Sequence, residues 1–260
     1  MGKIVAISNL KGGTGKSVTA ANLGVGLARQ GQRVLLVDAD SQHSLTVGFG
    51  VATPDKLQIT LSSILENIIN DSGYDPTAGV IKHAEGIDLL PANLTLAKTE
   101  LMLAPVMGRE TILRQYISEI RHLYDWVIVD TSPSLGLLTI NALAAADSIL
   151  IPVVPKYLDA RGLELLLKTV SQLRRNINPQ LAIGGILLTM VDRRPKFTDE
   201  IISLIENAYG EHIRIFGEHI PNSIRAAETS AQGKSIFTHD PRGKVAAAYE
   251  ALVKGVLHVA

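Results

Sequence analysis

The apolar run Ile4-Val5-Ala6-Ile7 leads into Lys11-Gly12-Gly13-Thr14-Gly15-Lys16-Ser17. That order commits the start of the chain to a strand, a tight loop and a helix. The loop fits the phosphate-binding pattern G-x-x-x-x-G-K-[ST] with its first glycine replaced by Lys11. Glycines 12, 13 and 15 let the backbone fold so that successive N–H groups point inward onto a polyphosphate. Thr14 and Val18 lie within the same stretch. Lys16 is spaced to reach the outer phosphates and the Ser17 hydroxyl to ligate Mg²⁺. A helix from about Lys16 to Gln30 adds its positive dipole end to this anion site. Lys11 is one cation more than phosphate cradling needs.

Further short apolar runs alternate with helical patterns at 33–37, 87–90, 127–130, 148–153, 183–189 and roughly 213–216. Their apolarity is continuous rather than alternating, so the strands are buried on both faces. The expected fold is α/β: a mostly parallel, twisted sheet of about seven to eight strands with helices on both faces. Thr60–Asn70 reads as an amphipathic helix, and residues 92–122 as two helices around Pro105. No repeat or long linker divides the chain, so one domain over 1–260 is expected. The phosphate loop and two acidic motifs then fall at carboxyl ends of strands, where such sheets bind ligands.

Apolar residues make up 46% of the 260 and charged residues 19%, which supports a sizeable core. There is no cysteine, which excludes disulfides and thiolate metal sites. The 25 basic and 25 acidic residues cancel, so nucleic-acid contact would need a local patch. The first strand is expected directly after Met1-Gly2, without a signal peptide. The apolar stretch 135–154 is broken by Asn141, Asp147 and Pro152 and reads as a helix followed by a buried strand, not a membrane span. A cytoplasmic protein is expected.

Asp130 follows an apolar strand and can either hold Mg²⁺ opposite Ser17 or cap the next helix; beside a phosphate loop the metal role is preferred. Asp38 and Asp40 share one face if the second strand persists that far.

The loop K-G-G-T-G-K-S resembles the deviant Walker A motif of the ParA/MinD group of P-loop ATPases. Val34 to Gln42 is similar to that group's second acidic motif, and Trp126 to Gly136 to its Walker B. Residues 220–228, with Thr238 to Lys244, resemble the C-terminal region of ParA partition ATPases of the small, Soj-like type. The resemblance covers about residues 3–257 and implies an ATPase using ATP and Mg²⁺. It implies that Lys11 crosses a homodimer interface to the partner's nucleotide, that Lys16 is catalytic, that Ser17, Asp40 and Asp130 serve the metal, and that Asp40 also orients the attacking water. Asp38 stays in a supporting role, and Ser41 replaces the family's usual proline, loosening the turn. Met190, Asp192, Pro221 and Asn222 match where the adenine is held, although Pro221 reads equally well as a loop proline.

Arg194, Lys196 and Arg225 fall where ParA relatives contact DNA, with Lys234, Arg242 and Lys244 able to extend the patch. Such contacts would go to phosphates, making binding to double-stranded DNA nonspecific. The implied function is DNA partition at the nucleoid, with hydrolysis stimulated by a ParB-like partner. The alternative is a MinD-like ATPase that positions a protein or membrane cargo. The C-terminal segment Tyr249–Ala260 carries one lysine and one glycine, unlike the basic amphipathic helix that lies on lipid. A metabolic P-loop enzyme is the third reading, and no additional substrate motif supports it.

Overall fold

The computed structural model describes residues 2–156, 159–192 and 194–259, without the side chains of residues 159–161, 196 and 259. The strands are β1 (Lys3–Ile7), β2 (Val34–Ala39), β3 (Ile81–Lys82), β4 (Asp88–Leu90), β5 (Trp126–Thr131), β6 (Ser148–Val153) and β7 (Ala182–Leu188). Among the described residues they form one sheet in the order β3-β4-β2-β5-β1-β6-β7. Every pairing is parallel except β3 with β4.

The helices are α1 (Lys16–Arg29), α2 (Ser44–Gly48), α3 (Leu61–Ile69), α4 (Thr95–Leu103), α5 (Ile112–Ile120) and α6 (Leu137–Ala145). They continue as α7 (Asp159–Asn176), α8 (Lys196–Tyr209), α9 (Ile224–Gln232), α10 (Ile236–His239) and α11 (Lys244–Val259). Thr60 caps α3 through a reciprocal side-chain box with Ser63, which satisfies N–H groups that a helix start leaves unpaired.

Period-two geometry sends successive strand side chains to opposite faces. Ile4 and Ala6 of β1, with Val127 and Val129 of β5, therefore join the core under α3–α8. Val5 and Ile7, with Trp126 and Ile128, join the core under α1, α10 and α11. This is the physical content of the unbroken apolar runs. Gly24 and Gly26 let α1 lie close: an added Cβ would approach Leu36 to 2.5 Å and Val253 to 2.4 Å.

One strand expectation needs correction. Residues 213–216 form no named strand; Ile215 makes a single parallel bridge to Ile186. The pairing of β6 with β7 is irregular between Ile149 and Leu150, and Gly185 opposite Leu150 has φ 147°. Pairing there is confined to Ile186, which donates to Arg214 O and accepts from Phe216 N. Completing the sheet instead is the two-residue antiparallel β3, too short to carry a periodic signal.

Register is what assembles the site. Asp130 pairs with Ile7 on one side and with Asp38 on the other. The residues leading into the phosphate loop and both acidic motifs thus meet at one end of three adjacent central strands.

Candidate active site

Two side chains anchor the loop after β1. Asn9 Nδ2 donates to Pro152 O at 2.7 Å while its Oδ1 accepts from Lys11 N at 3.1 Å. Thr189 Oγ1 donates to Thr14 O at 2.8 Å. Between these anchors Gly13 (φ 71°) and Gly15 (φ 80°) are left-handed, a conformation that costs a residue with Cβ about 1–2 kcal/mol. The turn delivers the start of α1 into an open cavity of about 620 Å³.

Lys16 is buried, and its Nζ donates to Lys11 O at 3.1 Å. Burial lowers its pKa, while the nearby Asp130 and Asp40 carboxylates pull the other way. Asp130 is fully buried, and among the described residues neither of its oxygens has a hydrogen-bond partner. Its pKa is raised well above the usual carboxylate range, first by desolvation and then by Asp38; the neighbouring Ser17 hydroxyl and Lys16 oppose the shift.

A buried carboxylate without partners calls for a cation. Among the described residues no cluster of three or more His, Cys, Asp or Glu is arranged around a metal. The Asp130 carboxylate and the neighbouring Ser17 hydroxyl fit Mg²⁺, which binds through one or two protein oxygens and completes its shell with phosphates and water.

Asp38, by contrast, is fully satisfied. It accepts from Thr46 N at 2.8 Å, Thr46 Oγ1 at 2.6 Å and Asp40 N at 3.2 Å. Burial, the largest cause, nevertheless raises its pKa to about 6. Thr46 Oγ1 in turn accepts from Ala92 N at 3.0 Å. Asp38 thus builds the turn that carries Asp40 into the cavity wall. Ser41 does not leave that turn open, because Asp40 Oδ1 accepts from Gln42 N at 3.0 Å.

The cavity brings together Gly12, Gly13, Gly15, Lys16, Ser17, Val18, Asp40 and Met190 from the sequence expectations. It adds Ser44 and Val47 from α2 and Ser230 from α9, none of which carries a sequence signal. Pro133, which also lines it, stands just after the Walker-B-like aspartate.

Met190 is half-exposed with φ 52°. Val191 bridges Pro221, and Asn222 N donates to Val191 O at 3.1 Å. Asp192, Pro221 and Asn222 therefore gather beside Met190, yet among the described residues they are not part of the cavity lining. Asp192 instead grips Arg194, with Nε to Oδ1 at 2.8 Å and Nη2 to Oδ2 at 2.5 Å. The arginine lowers the Asp192 pKa to about 2. The residue expected near the base and the residue expected on DNA form one exposed ion pair. Arg225 opens α9, with Nε 3.8 Å from Asp240 Oδ2. Arg193 and the Lys196 side chain lie outside the described residues, while Lys234, Arg242 and Lys244 are exposed.

A left-handed glycine loop at a central strand end, a buried lysine in its helix start and an orphaned carboxylate opposite define a P-loop NTPase. The AAA domain family matches residues 2–183. The sporulation initiation inhibitor protein Soj of Bacillus subtilis is 39% identical over 258 residues, covering 98% of both chains. The chromosome partitioning protein ParA of Caulobacter vibrioides is 34% identical, covering 98% of this chain and 94% of its own. The chain belongs to the ParA/Soj family of partitioning ATPases. A solved structure named cobyrinic acid a,c-diamide synthase from Mycobacterium smegmatis, with bound ADP and magnesium, superposes with a TM-score of 0.86. It is 33% identical, over 99% of this chain and 95% of that one. Among the described residues no helix is long and apolar enough to cross a membrane.

The two buried carboxylates set an expected pH dependence in the absence of nucleotide and metal. An acid whose folded pKa is raised carries no penalty below its unfolded value near 4 and loses stability as pH climbs toward the folded value. Stability should therefore fall from about pH 4 through about 6 as Asp38 ionises, and further as Asp130 does. Asp130→Asn should flatten that slope. At pH 8 its thermal midpoint should rise by roughly 2–4 °C per kcal/mol of relieved penalty. Unfolding scans in EDTA at pH 4.5 and pH 8 test this; equal shifts at both would mean that folding does not raise the Asp130 pKa.

Proposed function

We propose that this chain, as a single domain over residues 1–260, is a Mg²⁺-dependent ATPase of DNA partition, working in the cytoplasm beside the nucleoid. The observation that carries the reading is the orphaned Asp130 carboxylate facing Ser17 and Lys16 below a loop whose first glycine position is Lys11. Ser17, Asp40 and Asp130 would hold the metal. When bound, Mg²⁺ neutralises charge on the β- and γ-phosphates. Lys16 leaves the Lys11 carbonyl for the triphosphate, and Asp40 orients the attacking water. Met190, Asp192, Pro221 and Asn222 hold the base side.

Lys11 serves the nucleotide of a second copy, placing positive charge where the leaving oxygen becomes negative. Hydrolysis and dimerisation are thereby linked. The ATP-bound dimer holds double-stranded DNA through Arg194, Lys196 and Arg225, and a ParB-like partner stimulates hydrolysis and release. The relatives' names, a chromosome-partitioning ATPase Soj among them, support this cargo over a protein or membrane surface. DNA phosphates would have to compete for Arg194 with its two-point contact to Asp192, and for Arg225 with the long, exposed contact to Asp240, a kind of pair that contributes little.

The test is a gel shift on two unrelated duplexes across a salt series. Wild type with ATP should bind both equally, with a log–log salt slope of several units, about −0.9 per phosphate neutralised. Arg225→Glu should lose binding yet keep the ATP-dependent dimer, and Lys11→Ala should lose the ATP-dependent gain. A strong preference for one duplex, or an unaltered slope in Arg225→Glu, would defeat the DNA reading. ATP turnover stimulated by cobyrinic acid, and not by DNA, would favour an amide-forming enzyme instead.

A further inference from the structure

A second cavity, of about 490 Å³, lies at the opposite end of the sheet. Its lining includes the first residues of four parallel strands, Lys3, Trp126, Ser148 and Ala182, whereas the nucleotide site stands at their carboxyl ends. We infer that this cavity binds a small organic acid with a flat apolar body and one anionic head.

The cavity exists because small residues stand where a core would place large ones. Ser148, Ala182 and Gly184 present almost no side chain beneath the last turns of α11, which contributes Val256. Gly185 is fixed by its neighbour, since an added Cβ would approach the Phe216 ring to 2.7 Å. Phe216 therefore packs against the strand and walls the cavity, while the adjacent Gly184 leaves space. Protein interiors are otherwise packed like organic crystals, and an apolar void of this size matches ligand sites.

The walls define the ligand's body and the rim its head. Trp126 and Phe216 offer two aromatic surfaces, each with a cation beside it. Lys3 Nζ is 5.5 Å from the Trp126 ring centre, and Arg214 Cζ is 4.6 Å from that of Phe216. Among the described residues the stacked guanidinium gives one hydrogen bond, Nη1 to Gly255 O at 3.3 Å, out of five available donors. Asp147 also lines the cavity, but its carboxylate accepts from Ile4 N at 2.8 Å and from Arg121 at 3.2 Å. The acid is thus balanced by Arg121, and Arg214 gives the rim its cationic group. A carboxylate, sulfonate or phosphate can take Arg214 in two-point contact while its ring lies against Phe216 and Trp126.

Trp126 is the single tryptophan of the chain, so its indole N–H resonance reports on this cavity directly. The probes are anilinonaphthalene sulfonate and its neutral counterpart phenylnaphthylamine, added to the full chain. The sulfonate should bind at one saturable site and shift the indole line in proportion to occupancy. Arg214→Gln should weaken the sulfonate by about tenfold or more and leave the neutral amine nearly unchanged. Ser148→Leu should exclude both, with ATP turnover and thermal midpoint as in wild type. Sulfonate binding with an unmoved indole line, equal sulfonate affinity in Arg214→Gln, or both probes retained by folded Ser148→Leu would each overturn the site. If Ser148→Leu does not fold, the wild-type indole titration and Arg214→Gln still decide.

Discussion

Lys16→Ala should lose ATP binding by at least about 100-fold, the largest single loss available in this chain. Lys16 is buried; desolvation lowers its pKa, and the Asp130 and Asp40 carboxylates favour its charged form. Removing it leaves both carboxylates facing an incoming triphosphate with no protein cation between them. At about 4 Å a unit charge pair is worth roughly 1 kcal/mol in water and about 4 kcal/mol at the effective dielectric of a protein surface. Loss of one attraction to the outer phosphates, with the carboxylate repulsion left unscreened, reaches that upper figure. Every 1.4 kcal/mol is a factor of about ten, hence the expected loss. Lys16→Met keeps the apolar stem that fills the loop and should fail equally, which separates charge from packing. Titration with a fluorescent ATP analogue reads the effect. Unchanged affinity in both variants would mean that the triphosphate sits elsewhere.

How far the sequence carries this picture depends on the range over which each feature is specified. The phosphate loop is local: glycines at fixed offsets and a lysine at a helix start need no distant partner, and the structure builds them as read. The sheet is legible because its strands are apolar on both faces and long enough to show it. Residues 213–216 mislead for the same reason: the run is apolar, but beside the Gly185 irregularity only one residue finds a partner.

The acid pair shows a different limit. Asp38 and Asp40 look equivalent at i, i+2, yet β2 ends at Ala39. Asp38 stays in the strand, taken up by Thr46, while Asp40 stands beyond it in the cavity wall. Nothing in the spacing from residue 38 to Thr46 announces that bond. Asp192 and Arg194 are likewise legible as charges but not as a pair, because an irregular segment sets their separation. Ser230 reaches the cavity only through the packing of α9 on α2, a contact that no local pattern encodes.

Asp40→Ala should separate binding from turnover, with hydrolysis falling at least about 100-fold while ATP affinity stays close to wild type. The reason lies in the division of labour between the two acids. Asp38 has all of its bonds inside the protein, so its removal would release Thr46 and the turn, and would damage folding as much as chemistry. Asp40 has its carboxylate on the cavity, where Oδ1 accepts from Gln42 N. Truncating it spares the loop, Lys16, Ser17 and Asp130. The phosphate site therefore fills, and the ATP-dependent dimer proposed above should form but not turn over. Size-exclusion chromatography with ATP and Mg²⁺ should show a persistent dimer for Asp40→Ala, against a transient one for wild type. Asp40→Asn should behave similarly if charge on the attacking water is what matters, and should recover turnover if hydrogen bonding alone suffices. A monomeric Asp40→Ala protein with wild-type hydrolysis would remove this residue from the chemistry. The water would then have to be oriented from elsewhere in the cavity wall, where Gln42 and Ser44 are the nearest polar side chains in sequence.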